Sequence, residues 1–257
     1  RRARVALAAL LLGAVGIGSY QMSFKLSNVI TSEVAVTISK VTFPAFARVR
    51  DDIKTLTRGY MRTIEFIAVA LAPLTLASIF LAHDGIALVL GEDWRHITPS
   101  FQILAVMGFA KALVATGGAL TYGLGKPQWV LIINLARTAG TFAVVFPLTA
   151  RMGINGAALA ALTGILSSVP VWMYNSAMYT DMKCRSLVPI LLKPAVASAP
   201  MLLFIAAARH LIFPSDLLRF LPMLAAAAAG FAVYVAVSDS FFGAGIVKEV
   251  KGLLGRR

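Results

Sequence analysis

The strongest constraint on this chain is a series of long apolar runs joined by short polar links. Each run has about 17–25 residues, the length of α-helix that spans a bilayer. Membrane-spanning strands would instead give alternating segments of about ten residues, and the sequence has none of these. We therefore predict an all-α, polytopic transmembrane helix bundle with about eight spans. Their predicted limits are 3–19, 20–47, 60–82, 98–122, 128–149, 154–178, 187–211 and 218–238.

The charge distribution fits this architecture. Only 14% of the residues are charged, against roughly 25% in a typical soluble domain. The formal net charge is +13, and most of the Lys and Arg lie in every second link, on the same side of the predicted spans. The positive-inside rule accounts for this excess without nucleic acid as a partner, and it predicts that both ends of the chain face the cytoplasm. The single cysteine, Cys184, excludes an internal disulfide and a cysteine-rich metal site.

Residue patterns typical of enzymes are missing from the sequence. The three histidines, His83, His96 and His210, lack the close spacing of metal ligands. The link 83–97 holds acidic residues beside His96, and a solvated segment with a short interfacial helix, Trp94 at the headgroup level, explains it better than an acid–base set. There is also no P-loop and no glycine-rich dinucleotide motif. We therefore predict no enzymatic activity, no metal and no cofactor.

The second predicted span is unusually polar for a membrane helix. At 100° per residue, one narrow stripe contains Gln21, Lys25, Asn28, Ser32 and Ser39. Glu33 and Lys40 share a second line beside that stripe. Because lipid cannot solvate such side chains, we expect the stripe to face protein or water. The basic link that follows, 48–62, predicts which side is cytoplasmic.

Charged residues also lie within or close to several spans. They are Lys25, Glu33, Lys40, Glu65, Lys111 and Arg137. A charged side chain at the bilayer centre costs about 2.5–3.5 kcal/mol, so such residues usually face the protein interior or a water path. Snorkelling to the interface explains Lys25, Lys40 and Glu65 equally well. Glu33 could also pair with Lys40 or Arg137 and only hold helices together.

The functional interpretation of these residues is a cationic cavity. Arg or Lys inside a water-filled bundle would attract a diphosphate group, and Arg favours forked contact with phosphate oxygens. Polar neighbours could then hydrogen-bond sugar hydroxyls. The candidate substrate-binding residues are Gln21, Lys25, Asn28, Ser32, Glu33, Lys40, Lys111, Asn134 and Arg137.

A set of short motifs runs through nearly the whole chain in a fixed order. They are Leu12-Gly13, Gly18-x-Tyr20 with Phe24-Lys25-Leu26, Val41-x-Phe43-Pro44-Ala45 before Asp51-Asp52, Pro73, Leu90-Gly91-x-x-Trp94, Gly123-x-Gly125-Lys126 and Gly153-x-x-Gly156-Ala157-Ala158. Each motif is weak alone. Their order and spacing relative to the spans resemble the polysaccharide/oligosaccharide (O-antigen type) flippase family of the multidrug/oligosaccharidyl-lipid/polysaccharide exporter superfamily.

This resemblance implies a C-terminal half of a transporter with two six-helix bundles. Residues 1–180 would form the C-terminal bundle, 181–247 two additional transmembrane helices, and 248–257 a basic cytoplasmic tail. The N-terminal bundle would then be missing from this chain, which also opens without an initiator Met. The implied activity is translocation of an undecaprenyl-diphosphate-linked oligosaccharide across the bacterial inner membrane by alternating access. The implied partners are that lipid-linked oligosaccharide, membrane lipids and the N-terminal bundle, and no catalytic residue is carried over.

Two other functions stay open at this point. One is a sister transporter of the same superfamily, either a peptidoglycan-precursor flippase or a cation-coupled exporter. An exporter of cationic drugs would favour carboxylates and aromatics in its cavity, whereas the candidates here are mainly basic. The other is a polytopic membrane glycosyltransferase or acyltransferase, for which Asp84, Asp93 and His96 in the link 83–97 are the only candidate catalytic residues.

Overall fold

The computed structural model describes residues 2–211, 229–230 and 234. These residues form helices and turns with no β-strand among them, which confirms the predicted all-α fold. The α-helices are α1 (Arg2–Arg48), α2 (Ile53–Phe80), α3 (Ala82–Leu90), α4 (Thr98–Gly123), α5 (Gln128–Tyr179), α6 (Leu187–Ala197) and α7 (Ala199–Leu211). Short 3-10 helices lie at Glu92–Ile97 and Cys184–Ser186.

Four helical stretches within the described residues are long and apolar enough to cross a membrane. They are Ile53–Phe80, Glu92–Gly123, Gln128–Tyr179 and Leu187–Ala207. The count of eight spans stays a prediction, because most of the eighth, 218–238, and the tail 248–257 lie outside the described residues. The division into a bundle over 1–180 and an extension over 181–247 also stays a prediction.

Two glycines interrupt the longest helices. Gly153 has φ 58° and divides α5 into two limbs, α5a (128–152) and α5b (154–179). The limbs fold back on each other as an antiparallel hairpin, since Ser167 near the middle of α5b donates to the Ala136 carbonyl of α5a at 2.9 Å. Gly164 lets the limbs approach closely, because a Cβ there would collide with the Thr141 hydroxyl. The hairpin shows that the predicted spans 128–149 and 154–178 fall on two separate helical limbs.

The interruption in α1 differs from the predicted one. The sequence suggested a boundary between residues 19 and 20, but the helix runs without a break through Tyr20 and is interrupted at Gly13 instead. Gly13 has φ 68° and ψ 177°, a conformation that glycine adopts without strain and other residues rarely do. Several glycines lie in this segment, and spacing alone did not identify which one breaks the helix.

Three long helical segments run parallel to one another. Ser19 of α1 lies beside His96, Thr31 beside Gly108, and Phe46 beside Gly123, so α1 and α4 stay in register over their whole contact with a separation of 77 residues. α4 and α5b keep a separation of 55 residues in the same way, from Ser100 with Asn155 to Gly117 with Trp172. α4 therefore lies between α1 and α5b as the central helix of the bundle.

α2 runs antiparallel to α1 and α4. Near its start, the Tyr60 ring meets Phe46 of α1 edge-on, with centroids 6.0 Å apart. Near its end, Gln102 of α4 donates to the Ile79 carbonyl at 3.0 Å. The apolar core forms where α1, α2, α4 and α5 meet.

The two ends of the bundle differ in charge. One, here called the basic end, carries the α1–α2 link with Arg48, Arg50 and Lys54, the α4–α5 link with Lys126, and the α5–α6 link. The other, the acidic end, carries α3 and the 3-10 helix Glu92–Ile97. These two helices confirm the prediction that the link 83–97 contains a short helix. His96 holds this segment against α1, because its Nε2 lies 3.0 Å from Ser19 Oγ.

The segments after α5 pack against α2. α6 and α7 cover the predicted span 187–211 and are separated at Ser198, whose hydroxyl donates to the Pro194 carbonyl at 2.7 Å. Residues 229, 230 and 234 are helical as well. We call α6, α7 and these three residues the extension. Four of its buried residues, Ala197, Met201, Ile205 and Tyr234, form a separate apolar cluster with Val69 of α2.

Candidate functional site: a charged layer in the middle of the bundle

The two faces of α5a have opposite characters. Leu131, Leu135 and Phe146 repeat along one face and are 61%, 58% and 60% exposed, as expected for side chains in contact with lipid. Asn134 and Arg137 lie on the opposite face and are half-buried. The only charged residue of the apolar part of this limb therefore points into the protein and not towards lipid, as the sequence predicted for Arg137.

Arg137 is held by its own helix. Its guanidinium donates to Asn134 Oδ1 at 2.6 Å, and Asn134 Nδ2 donates in turn to the Val130 carbonyl at 2.8 Å. This chain of hydrogen bonds fixes the amide orientation and aligns the guanidinium along the inner face of α5a. Both residues come from the predicted set, and the structure brings them together.

Three charged positions lie at one level of the bundle. The register between α1 and α4 places position 33 level with position 110, next to Lys111. The register between α4 and α5b, together with the α5 hairpin, places Arg137 within about one helical turn of the same level. Lys111 is half-buried at the centre of α4. We call the positions Glu33, Lys111 and Arg137 the charged layer.

The polar stripe of α1 divides into two parts. Gln21 and Lys25 are exposed, whereas Asn28 is buried and donates to the Phe24 carbonyl at 3.0 Å. Lys25 lies level with Gln102, close to the acidic end, where snorkelling is feasible. Ser32, Ser39, Glu33 and Lys40 lie in the described helix α1, but their side chains are outside the described set. Lys40 is about two turns from the charged layer, on the side of the basic end.

The sequence reasoning missed a second stripe on α1. Ser19, Ser23, Ser27 and Thr31 recur every four residues, are buried, and lie on the side that packs against α4. Ser23 donates to the Ser19 carbonyl at 2.9 Å, so its polarity is satisfied within the helix. Small residues at this spacing allow two membrane helices to approach closely. The spacing of four residues is visible in the sequence, but the interpretation as a ligand site rested on the polar residues beside it, Gln21, Lys25 and Asn28 among them.

A small cavity lies between α1, α2 and α4. It measures about 60 Å³ and is lined by Leu26, Ser27, Thr31, Leu74, Thr75, Ser78, Phe101 and Ala105. Ligand pockets usually measure about 300–1,000 Å³, so this cavity is too small for a sugar diphosphate.

At the acidic end, His96 joins the 3-10 helix Glu92–Ile97 to α1. Both ring nitrogens of His96 are engaged, Nε2 with Ser19 Oγ at 3.0 Å and Nδ1 with the Asp93 carbonyl at 2.7 Å. Glu92 is paired with Arg95 at 2.7 Å. Over the described part of the chain, no group of three or more His, Cys, Asp or Glu could hold a metal ion. These contacts hold the 3-10 helix in place against α1.

Comparisons with known proteins agree with the motifs. A family described as "Polysaccharide biosynthesis protein" matches residues 1–99. The chain is 28% identical over 61% of its length to an "Uncharacterized membrane protein in cps region" of Klebsiella pneumoniae. It is 26% identical over 50% of its length to the lipopolysaccharide biosynthesis protein WzxC of Escherichia coli K12, and 22% identical over 45% to the teichuronic acid biosynthesis protein TuaB of Bacillus subtilis 168.

The fold has a counterpart among solved structures. The lipid II flippase MurJ, in an inward closed conformation, superposes with a TM-score of 0.72 over 88% of this chain at 15% sequence identity. The match covers 47% of that flippase, and the sequence matches cover 32%, 26% and 24% of the three relatives. This chain therefore spans about half or less of each protein that it matches. Together the matches confirm the resemblance to the polysaccharide flippase family.

Proposed function

We propose that this chain is the C-terminal bundle of a flippase for lipid-linked oligosaccharides in the bacterial inner membrane. The substrate would carry an undecaprenyl diphosphate, and a second, N-terminal bundle would complete the cavity. The observation that carries the proposal is Arg137, which lies on the inner face of α5a, held by Asn134 and level with Lys111. The similarity to one half of a lipid II flippase fold supports the two-bundle arrangement.

The charged layer would contribute to transport through electrostatics. A diphosphate that crosses the membrane loses water at the bilayer centre, where charge is most costly. Arg137 and Lys111 would replace part of that hydration, with Arg137 making forked contact with phosphate oxygens. Glu33 at the same level would keep the layer neutral enough to be stable without substrate. Gln21 and Lys25, exposed towards the acidic end, would then contact the sugars as they pass.

The direction of transport follows from the charge of the two ends. The basic end would face the cytoplasm, because Lys and Arg accumulate on the cytoplasmic side of membrane proteins. The lipid-linked substrate would therefore enter near the basic end and leave near the acidic end. Rocking of the two bundles around the charged layer would expose it to one side at a time.

Paired arginine substitutions in the full-length protein test this function. Arg137→Ala removes the inner guanidinium, and we expect surface glycan to fall at least about tenfold, the effect of losing a charge-assisted hydrogen bond. Arg151→Ala is the matched control, because Arg151 is exposed at the acidic end, and we expect near-normal export. Surface glycan is measured relative to the amount of each variant in the membrane.

The same pair of variants contains the outcome that would contradict the proposal. Equal export by the two variants, or normal export by Arg137→Ala, would exclude Arg137 from the substrate path. The Arg137→Lys variant separates charge from shape: it should retain part of the export if charge dominates, and lose as much as Arg137→Ala if the forked contact dominates.

A further inference from the structure

α2 contains a proline in its C-terminal third, Pro73. Proline has no N–H, so residue 73 cannot donate the helical hydrogen bond to the carbonyl four residues earlier, at Val69. Val69 is only 7% exposed, and α2 is one of the helices able to span the membrane. Water cannot readily replace a missing donor in such surroundings. The Val69 carbonyl therefore benefits from a donor outside the backbone ladder of α2.

Tyr234 supplies that donor from the extension. Its hydroxyl donates to the Val69 carbonyl at 2.7 Å across 165 residues of sequence. Tyr234 is 2% exposed and packs in one apolar cluster with Met201 and Ile205 of α7. Gly230, four residues earlier in the sequence, lies close against Met201, because a Cβ at position 230 would come within 2.9 Å of Met201 Cγ. The Tyr234 ring is thus held in the apolar cluster between the extension and α2.

α2 connects this contact to the main bundle. The same helix that offers the Val69 carbonyl to the extension carries Tyr60, which is fully buried among α1, α4 and α5b. A change in the bend of α2 at Pro73 would therefore shift the extension relative to the bundle. The Tyr234 hydroxyl binds at the one carbonyl whose helical donor the proline removes.

We propose that Tyr234 is a positioning residue: it clasps α2 at Pro73 by donating to the Val69 carbonyl, and so fixes this part of α2 to the extension. The clasp goes beyond the proposed transport function, since it couples two parts of this chain whatever the substrate. Its distinctive property is that it depends on Pro73. When residue 73 carries an N–H, the Val69 carbonyl has its helical partner again and the Tyr234 hydroxyl becomes dispensable.

A double-mutant cycle tests this dependence in the full-length protein reconstituted in lipid nanodiscs. The Tyr234→Phe variant removes only the hydroxyl, and we expect amide hydrogen exchange in residues 74–77 of α2 to become about fivefold faster, as for one lost hydrogen bond. In the Pro73→Ala background the same substitution should change exchange little. Tyr122→Phe is the control, because Tyr122 is 52% exposed on α4, and it should leave exchange in α2 unchanged.

Each result of the cycle decides the matter. The clasp is supported if Tyr234→Phe accelerates amide hydrogen exchange in the wild-type background but not in the Pro73→Ala background. If Tyr234→Phe alone does not fold, the clasp is supported when adding Pro73→Ala restores folding. Equal acceleration in both backgrounds, no acceleration in the wild-type background, or failure to fold in both would overturn it. None of these readouts involves glycan export, so the clasp and the proposed transport function can fail separately.

Discussion

Two groups of polar residues inside the bundle differ in how completely they are enclosed. Near the basic end, the Tyr60 hydroxyl meets Ser176 Oγ at 2.7 Å and accepts from Trp172 Nε1 at 2.9 Å and from Thr116 Oγ1 at 3.3 Å. We call these four residues the Tyr60 cluster, and all of them are buried. In the middle of the bundle, by contrast, Lys111 and Arg137 of the charged layer are only half-buried.

The contrast separates two uses of polarity in a membrane. The Tyr60 cluster is neutral, enclosed and made of partners from α2, α4 and α5b, so its hydrogen bonds join helices. The charged layer carries charge on an incompletely covered face, where a second bundle and a ligand would complete its surroundings. We therefore expect changes in the cluster to affect folding first, and changes in the layer to affect transport first.

The largest effect on stability should come from Tyr60→Phe. Removing the hydroxyl leaves the Trp172 and Ser176 side chains without this buried partner, which costs about 1–3 kcal/mol per group. Thermal or denaturant unfolding of the purified full-length protein measures the loss. The Tyr174→Phe variant is the control, because Tyr174 is 64% exposed on α5b and should cost little.

Export by the same variant sharpens the comparison. We expect Tyr60→Phe to export normally per molecule of folded protein, in contrast to Arg137→Ala. A Tyr60→Phe protein of wild-type stability that fails to export would reverse the roles assigned to the two groups.

A smaller effect on stability is expected from the loss of Asp52, whose polar contacts are exposed. Asp52 caps α2 by accepting from Thr55 N at 3.1 Å and from the Thr55 hydroxyl at 2.7 Å. These hydrogen bonds hold the pKa of Asp52 below its usual value of 3.8. The stabilisation is therefore complete above pH 3.8 and is lost as the pH falls through the lowered pKa.

Unfolding of the Asp52→Ala variant at several pH values measures this contribution. The difference from wild type should be small, constant near neutral pH, and shrink below pH 3.8. The Asp52→Asn variant retains a capping side chain without the charge and should lie closer to wild type at neutral pH. A difference from wild type that grows on acidification would contradict the assignment of the cap.

Much of the fold could be predicted because its signals are local. Run length gave the helices, and the predicted limits 128–149 and 154–178 placed the break that Gly153 forms in α5. The break at Gly13 was not predicted, because the sequence does not show which of the neighbouring glycines adopts a positive φ.

The contacts between distant residues could not be predicted in this way. The partners of Tyr60 lie 56, 112 and 116 residues away, and a single sequence gives no register between helices. The same limit applies to the candidate site. Lys111 and Arg137 were candidates because each is a charged residue in an apolar span. Only the register between the helices of the structure shows that they lie at one level of the bundle. Asn28 was counted with Gln21 and Lys25, although its side chain is buried by neighbouring helices.

The most direct test of the charged layer is whether water reaches it. Two neighbours on α5a provide the comparison: Asn134 on the inner face, and Leu135, which is 58% exposed on the lipid-facing side. Cys184, the one cysteine of this chain, and any cysteine outside it are first replaced by Ser. Asn134→Cys and Leu135→Cys are then introduced separately into the full-length protein in intact membranes and treated with a charged thiol reagent. The account predicts rapid labelling of the Asn134→Cys variant and little of the Leu135→Cys variant. Labelling of Leu135→Cys at the same or a higher rate, or no labelling of Asn134→Cys, would contradict a water-filled cavity at this layer.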